Sequence, residues 1–558
     1  MGRRARVAML LAAVATSWLL TYAPQVHAQK QGENSAQIKA ASTTNDWPAH
    51  GGTNLAWRYS ALDQINTSNV KKLSAVWSFE TGDYQNGLES NPIVVDGVIF
   101  ISSFDDVFAL AGATGELLWQ YKYNPLPGKT TGRNFGVAVG DGKVFLGTHD
   151  DHVVALDQKT GKEIWKVADA DSTSCGRCGI QAAPLIVKDK VIVGSAGSSG
   201  RLTAYDMKTG HVAWRFYMIP KPGEPGHETW PDDDTWKRGG ISIWQTGSFD
   251  PDLNLVYWGT GDCCGEAYRG DVKYADLYED SILALDADTG KLRWYYQEIP
   301  HDTWDYDANW ELLLMDRPVN GKMRKLVMQF AKAGYTFILD RVTGELLGVY
   351  PYAKTNNFVQ SINQKGELIG RNDPVLGKTT LICPSERGPK NFNQVAYSPR
   401  TQLAYLPVVE MCNDLTLPST PNQPPTFVFK SPPDGPAYTH LDALDPVTGK
   451  IAWTYRYKFE LSASILATAG DLMLTGDPEG HFFALDARSG KTLWGYQTGS
   501  GNHGSPVTCM VRGRQYIATE SGEGLSVIMY DKNVFGPQAA NWRLGSTLTV
   551  FALPEESK

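Results

Sequence analysis

Short apolar runs of period two, broken by turn residues, dominate the chain from about residue 75 to its end. NPIVVDGVIFISS (91–103) and KDKVIVGSAG (188–197) are two of them, and each reads as a pair of strands with a turn between. Between such runs one pattern recurs seven times: a small or apolar residue, Leu or Tyr, usually Asp, then TG or SG, then Trp. The copies are ALAGATGELLW (109–119), ALDQKTGKEIW (155–165), AYDMKTGHVAW (204–214), ALDADTGKLRW (284–294), ILDRVTGELLG (338–348), ALDPVTGKIAW (443–453) and ALDARSGKTLW (484–494). In each copy the apolar pair ends one strand, Asp and Gly form a tight turn, and the next strand opens on apolar residues and Trp.

A repeat of this kind overrides any domain count based on length. Each unit supplies about four strands, as a propeller blade does, and the long intervals place insertions at roughly 215–240 and 350–440. Seven turns, with the unmatched strands AVWSFETG (75–82) and LTVFALP (548–554) at the two ends, predict an all-β, eight-bladed β-propeller. Pairing those end strands in one blade closes the ring and removes exposed edges. Trp119, Trp165, Trp214, Trp294, Trp453 and Trp494 are then structural, docking blade against blade.

The N-terminus changes the picture of where the protein works. Arg3, Arg4 and Arg6 precede an apolar run from Val7 to Leu20, followed by Val26, His27 and Ala28. That order predicts a cleaved export signal over 1–28 and a single propeller domain over 29–558. The run is short for a bilayer span, so no transmembrane segment is expected. The formal charge of −8 becomes −11 once the three arginines leave, which argues against a nucleic-acid partner. Seven cysteines in an exported chain suggest disulfides and one odd thiol. No CxxCH occurs, Cys178 being followed by Gly179, so no c-type haem domain is expected and electrons must leave to an external acceptor.

With the repeat, the segments YWGTGD (257–262), IPHDTWDYD (299–307) and CPSERGPKNFNQVAYSP (383–399) carry a resemblance. From about Asp46 to Pro554 the chain resembles the quinoprotein alcohol and methanol dehydrogenases. That resemblance implies pyrroloquinoline quinone (PQQ) and one metal ion, lanthanide or calcium, with an alcohol as substrate. It implies a periplasmic location and a c-type cytochrome as acceptor, and is compatible with a homodimer. It makes Asp305 the general base, a role that suits a carboxylate held within hydrogen-bond reach of a hydroxyl. Trp244 would form the floor under the quinone, where a planar ring needs a broad aromatic face. Glu89, Arg133, Gln181, Lys332 and Asn391 would contact the cofactor, with Lys332 at a quinone oxygen. Asp262, Asp305, Asp307 and Ser199 would ligate the metal. Cys383 and Cys412 match a disulfide of the family, whose loop closure contributes on the order of 3 kcal/mol.

Three departures from the family pattern stand out. The segment GKTTGRNFGVAV (128–139) lacks the adjacent cysteines of many relatives and places Phe135 where they have arginine, leaving Arg133 as the substitute. An adjacent pair occurs instead at Cys263–Cys264; a vicinal disulfide there, beside a Cys175–Cys178 pair, leaves Cys509 as a buried thiol, with crossed pairs between these four as the alternative. The third is at the metal: the usual ligand glutamate is missing from GSAGSSG (194–200), where Ser199 or nothing replaces it, while Asp262 and Asp307 add carboxylates suited to a hard cation. The insertions and the altered 129–136 and 263–268 loops point to a bulky or secondary alcohol. A sugar or polyol quinoprotein, and a non-catalytic propeller scaffold that binds proteins, are the rival readings.

Overall fold

The computed structural model describes residues 45–127, 132–169, 179–196, 200–232, 234–238, 240–262, 274–420, 423–523, 534–536 and 543–555. The segment predicted to be an export signal (1–28), Ser199, Cys175, Cys178, Cys263 and Cys264 lie outside the described residues. The fold is an all-β propeller. Among the described residues, its strands form eight sheets with a four-stranded antiparallel meander, one of them extended by the short parallel strand Tyr59–Ser60. A two-stranded and a three-stranded sheet stand apart, within the second predicted insertion. In the last sheet Ser74–Glu80 pairs antiparallel with Thr547–Ala552, so the two chain ends close one sheet as the pattern predicted.

Turn chemistry makes the repeat. Asp157 Oδ1 accepts from the backbone N–H groups of Lys159 (3.1 Å) and Thr160 (2.9 Å) and from the Thr160 hydroxyl (2.7 Å), and Gly161 follows with φ 67°. That left-handed residue is glycine for a second reason: a Cβ there would fall 2.5 Å from the ring of Trp119. The same Asp-centred turn recurs at Asp206, Asp286 and Asp445.

The tryptophans dock as expected, and their indole N–H groups show the circuit. Trp77, Trp119, Trp165, Trp214, Trp294, Trp453 and Trp494 donate to backbone carbonyls of Gly112, Gln158, Met207, Ala287, Arg341, Ala487 and Leu73, at 2.9–3.2 Å. Each acceptor lies on or beside the next sheet, and the step from Trp494 to Leu73 closes the cycle. One link differs from the sequence pattern. The copy at 338–348 ends in Gly348, and Tyr350 takes the role, its hydroxyl donating to the Pro446 carbonyl at 2.8 Å. Side chains between sheets form the core, as where Ile93, Phe100 and Trp119 meet Val139, Val144 and Val154. Trp165→Phe, which loses the indole N–H and part of the packed ring, is expected to cost at least about 1 kcal/mol, read as a lower denaturant midpoint at unchanged slope. An unchanged midpoint would show that neither the hydrogen bond to Met207 nor the full indole is needed for docking.

Arg58, which the sequence pattern did not single out, lies fully buried where several sheets meet. It donates to the carbonyls of Ile465 (2.7 Å), Pro506 (2.7 Å) and His50 (3.2 Å) and to the side chains of Asn91 and Gln394 (both 2.9 Å). Burial pulls its pKa down to about 9, against the opposing pull of Glu311 and Glu520.

Candidate functional site

In an antiparallel meander the start of the first strand and the end of the second lie at the same end of the sheet. The candidate residues occupy those two positions. Glu89, Arg133, Gln181, Trp244, Asp305, Asp307 and Asn391 lie in segments entering first strands, whereas Asp262 and Lys332 follow the ends of Leu255–Gly259 and Lys322–Phe330.

The 301–307 segment is held in an unusual backbone path: His301, Asp305 and Asp307 have φ of 50°, 66° and 22°, a region where Asp and His are among the few tolerated residues. Asp302 stabilises it by accepting from the backbone of Trp304 (2.8 Å) and Tyr306. Trp304 and Tyr306 pack on Phe358, and the Tyr306 hydroxyl donates to the Pro384 carbonyl (2.7 Å). With these alternate side chains anchored, Asp305 and Asp307 converge on Lys332 instead. Its Nζ donates to Asp305 Oδ1 (2.8 Å) and to Asp307 Oδ2 (3.0 Å). The Asp262 backbone N–H donates to Asp307 Oδ1 (3.1 Å). One ligand atom each from Asp262, Asp305 and Asp307 lies within 4.8 Å of the others. Gly261 permits this approach, since a Cβ there would sit 2.4 Å from Asp307 Oδ1.

Burial alone would lower the pKa of Lys332, but the Asp305 and Asp307 carboxylates overcome it, and Glu386 adds to them; the ammonium is held well above its ordinary range. Beneath the cluster Asp280 is pushed up by burial and by the fields of Asp302, Glu279, Asp307 and Asp262. It is fully buried, and among the described residues neither of its carboxyl oxygens has a hydrogen-bond partner.

Beside this cluster is an aromatic platform. Trp244 stands edge-on to Trp310 (4.8 Å between ring centres) and tilted against Phe135 (6.3 Å), which meets Phe392 (5.8 Å). The Arg133 guanidinium lies over Phe392 at 5.3 Å and its Nε meets Glu89 at 3.1 Å. The Gln181 backbone carbonyl accepts from Phe135 N–H (2.9 Å). Asn391 is tied to the Arg387 carbonyl (2.8 Å) and to Phe392 N–H (2.9 Å). Ser242 joins the two halves: its carbonyl accepts from Gly261 N–H (2.9 Å) and from the Asn309 side chain (3.2 Å). Thus Asp262, Asp305, Asp307 and Lys332 are brought together in one cluster, and Glu89, Arg133, Trp244 and Asn391 are linked through the Phe135–Phe392 platform, which Gln181 meets through its backbone carbonyl.

Lys390 and Glu311 were not picked out from the sequence. They form a buried 2.7 Å ion pair, with the ammonium 5.1 Å from the Trp310 ring centre. Burial draws the pKa of Lys390 down, with Glu311 opposing. The only signal was their adjacency to Asn391 and Trp310. Cys383 and Cys412 form the expected disulfide. Cys509 is a buried free thiol, pushed up to about 12 by burial and the field of Asp46.

A family model described as the glucose/ethanol/alcohol dehydrogenase β-propeller domain matches residues 47–356; another, described as outer membrane protein assembly factor BamB, matches 437–533. Quinohemoprotein alcohol dehydrogenase ADH IIB of Pseudomonas putida is 34% identical over 96% of this chain and 81% of its own length. Quinoprotein alcohol dehydrogenase PedH of Pseudomonas putida is 33% identical over 89% of each. A solved europium-containing methanol dehydrogenase superposes with a TM-score of 0.85 at 32% identity, over 93% of this chain and all (100%) of that one. The fold and the relatives together place the chain among quinone-cofactor oxidoreductases built on an all-β propeller. Within that class the chain belongs to the PQQ-dependent alcohol dehydrogenase family, and PQQ-dependent oxidation of an alcohol is its activity.

The family implies PQQ and a metal ion, and the residues present fit both. Three carboxylates converge within a cation's reach. Glu89 meets Arg133 through Oε2, and among the described residues its buried Oε1 has no hydrogen-bond partner, acceptor capacity that a cofactor's donor would use.

Proposed function

We propose that Trp244, Glu89, Arg133, Gln181, Lys332 and Asn391 hold the quinone, and that Asp262, Asp305 and Asp307 hold the metal, with Ser199 the candidate for the place of the family glutamate. The observation that carries this reading is the convergence of Asp262, Asp305 and Asp307 with Lys332 beside the Trp244 platform. When bound, the quinone supplies a two-electron acceptor and the metal supplies Lewis-acid polarisation.

Asp305 takes the hydroxyl proton of the alcohol as the carbinol hydride leaves, so an aldehyde or ketone forms. Lys332 places a fixed positive charge where negative charge develops, in a site that burial shields from water. Trp304 and Tyr306 keep Asp305 in place through their packing on Phe358. Trp244 offers the flat face for stacking, backed by Trp310 and Phe135.

Each of the eight four-stranded sheets is read as one blade of an eight-bladed ring spanning 29–558 after signal removal at residue 28. The protein acts in the periplasm, and a soluble c-type cytochrome takes its electrons. The altered loops favour a bulky or secondary alcohol, and a homodimer is compatible with the family.

Protein made without cofactor is expected to be inactive, and to gain an absorbance band and dye-reducing activity once quinone and metal are added. Turnover supported by NAD or a flavin would overturn the reading. A panel of primary, secondary and polycyclic alcohols, with sugars alongside, then assigns the substrate class.

A further inference from the structure

Resting on the metal-site reading above, we infer that the Lys332 ammonium is an internal cation that competes with the metal for Asp305 and Asp307. Lys332 Nζ contacts both carboxylates at once, at 2.8 and 3.0 Å. Those are two of the three carboxylates whose ligand atoms lie within 4.8 Å of one another. All this takes place in a buried setting, with the Lys332 side chain 4% and the Asp307 side chain 6% exposed.

A hard cation takes its oxygen ligands at roughly 2.3–2.6 Å. An ion bound to Asp305 and Asp307 at that range would stand within a few ångströms of an ammonium bonded to the same two groups. Coulomb repulsion grows with the product of the charges and is weakly screened in a buried site. The lysine therefore opposes a trivalent ion more than a divalent one unless it moves away. Glu386 is a third carboxylate whose field acts on the same ammonium. The lysine also explains how three acidic groups coexist in the metal-free protein: it neutralises one charge and bonds two of the carboxylates. Metal entry is then an exchange of cations rather than the filling of a vacant acidic pocket.

The test is a titration of quinone-free, metal-free protein with Tb³⁺ and, separately, with Ca²⁺, followed by tryptophan-sensitised luminescence for Tb³⁺ and by calorimetry for both. Wild type is compared with Lys332→Met and Lys332→Arg. The Met variant is expected to bind Tb³⁺ at least tenfold more tightly than wild type, with a smaller gain for Ca²⁺, while the Arg variant stays as weak as wild type. Lys332→Gln serves as a second neutral variant should Met at this buried position not fold. If the neutral variants bind Tb³⁺ no more tightly than wild type, while Asp262→Asn lowers binding in every background, the competition is overturned and the metal site stands. If neither wild type nor the neutral variants bind either ion, the metal-site reading falls and this inference falls with it.

Discussion

Asp305→Asn is expected to lower turnover ~100-fold or more, the usual scale for loss of a general base. The amide keeps the size of the carboxylate and its capacity to accept one hydrogen bond from Lys332, but it cannot take a proton. Folding should survive, because the segment is anchored by Trp304, Tyr306 and Asp302 rather than by Asp305 itself. Lys332 would also keep its 3.0 Å bond to Asp307. The measurement is steady-state turnover on reconstituted enzyme, with metal and quinone content assayed on the same sample. Near-normal turnover in a folded, loaded variant would remove Asp305 from the role of base.

In Asp307→Ala any preference for a lanthanide over calcium is expected to disappear while any calcium-supported activity persists. A trivalent ion gains more from each added anionic ligand than a divalent one, since the attraction is linear in its charge. From the sequence, Asp262, Asp305 and Asp307 would balance a 3+ ion. With Lys332 bonded between two of them, the cluster carries a formal charge nearer that of a divalent ion's complement. Removing Asp307 also releases Lys332 to pair with Asp305 alone. Titration of the metal-free variant and wild type with La³⁺ and Ca²⁺, reading activity and metal content, decides the matter. Equal loss of both metals would make Asp307 a general ligand, and no loss of either would remove it from the site.

The propeller was legible because its signals are local. The Asp-centred turn closes through bonds two and three residues along the chain, and strand alternation has a period of two. Any copy of the repeat therefore announces itself without reference to the rest. The copy ending in Gly348 shows the limit of that legibility. The docking aromatic was displaced to Tyr350, and no local rule says which nearby ring will reach the neighbouring sheet. The candidate residues were found by motif, and their types already suggested an anionic cation site beside an aromatic floor.

Which of those residues touch is a different kind of fact. Lys332 meets Asp307 across 25 positions, Lys390 meets Glu311 across 79, and Arg58 reaches the Ile465 carbonyl across 407. Such pairs are selected when the sheets close into a cycle, and packing then removes water from around the charges that end up together. Sequence by itself determined the strands, the turns, the ring-forming repeat and the chemical types at the site, all of which depend on near neighbours. Only the tertiary structure decided that the lysine expected at the quinone also sits between two carboxylates expected at the metal, because that distance is set by ring closure and burial, not by spacing along the chain.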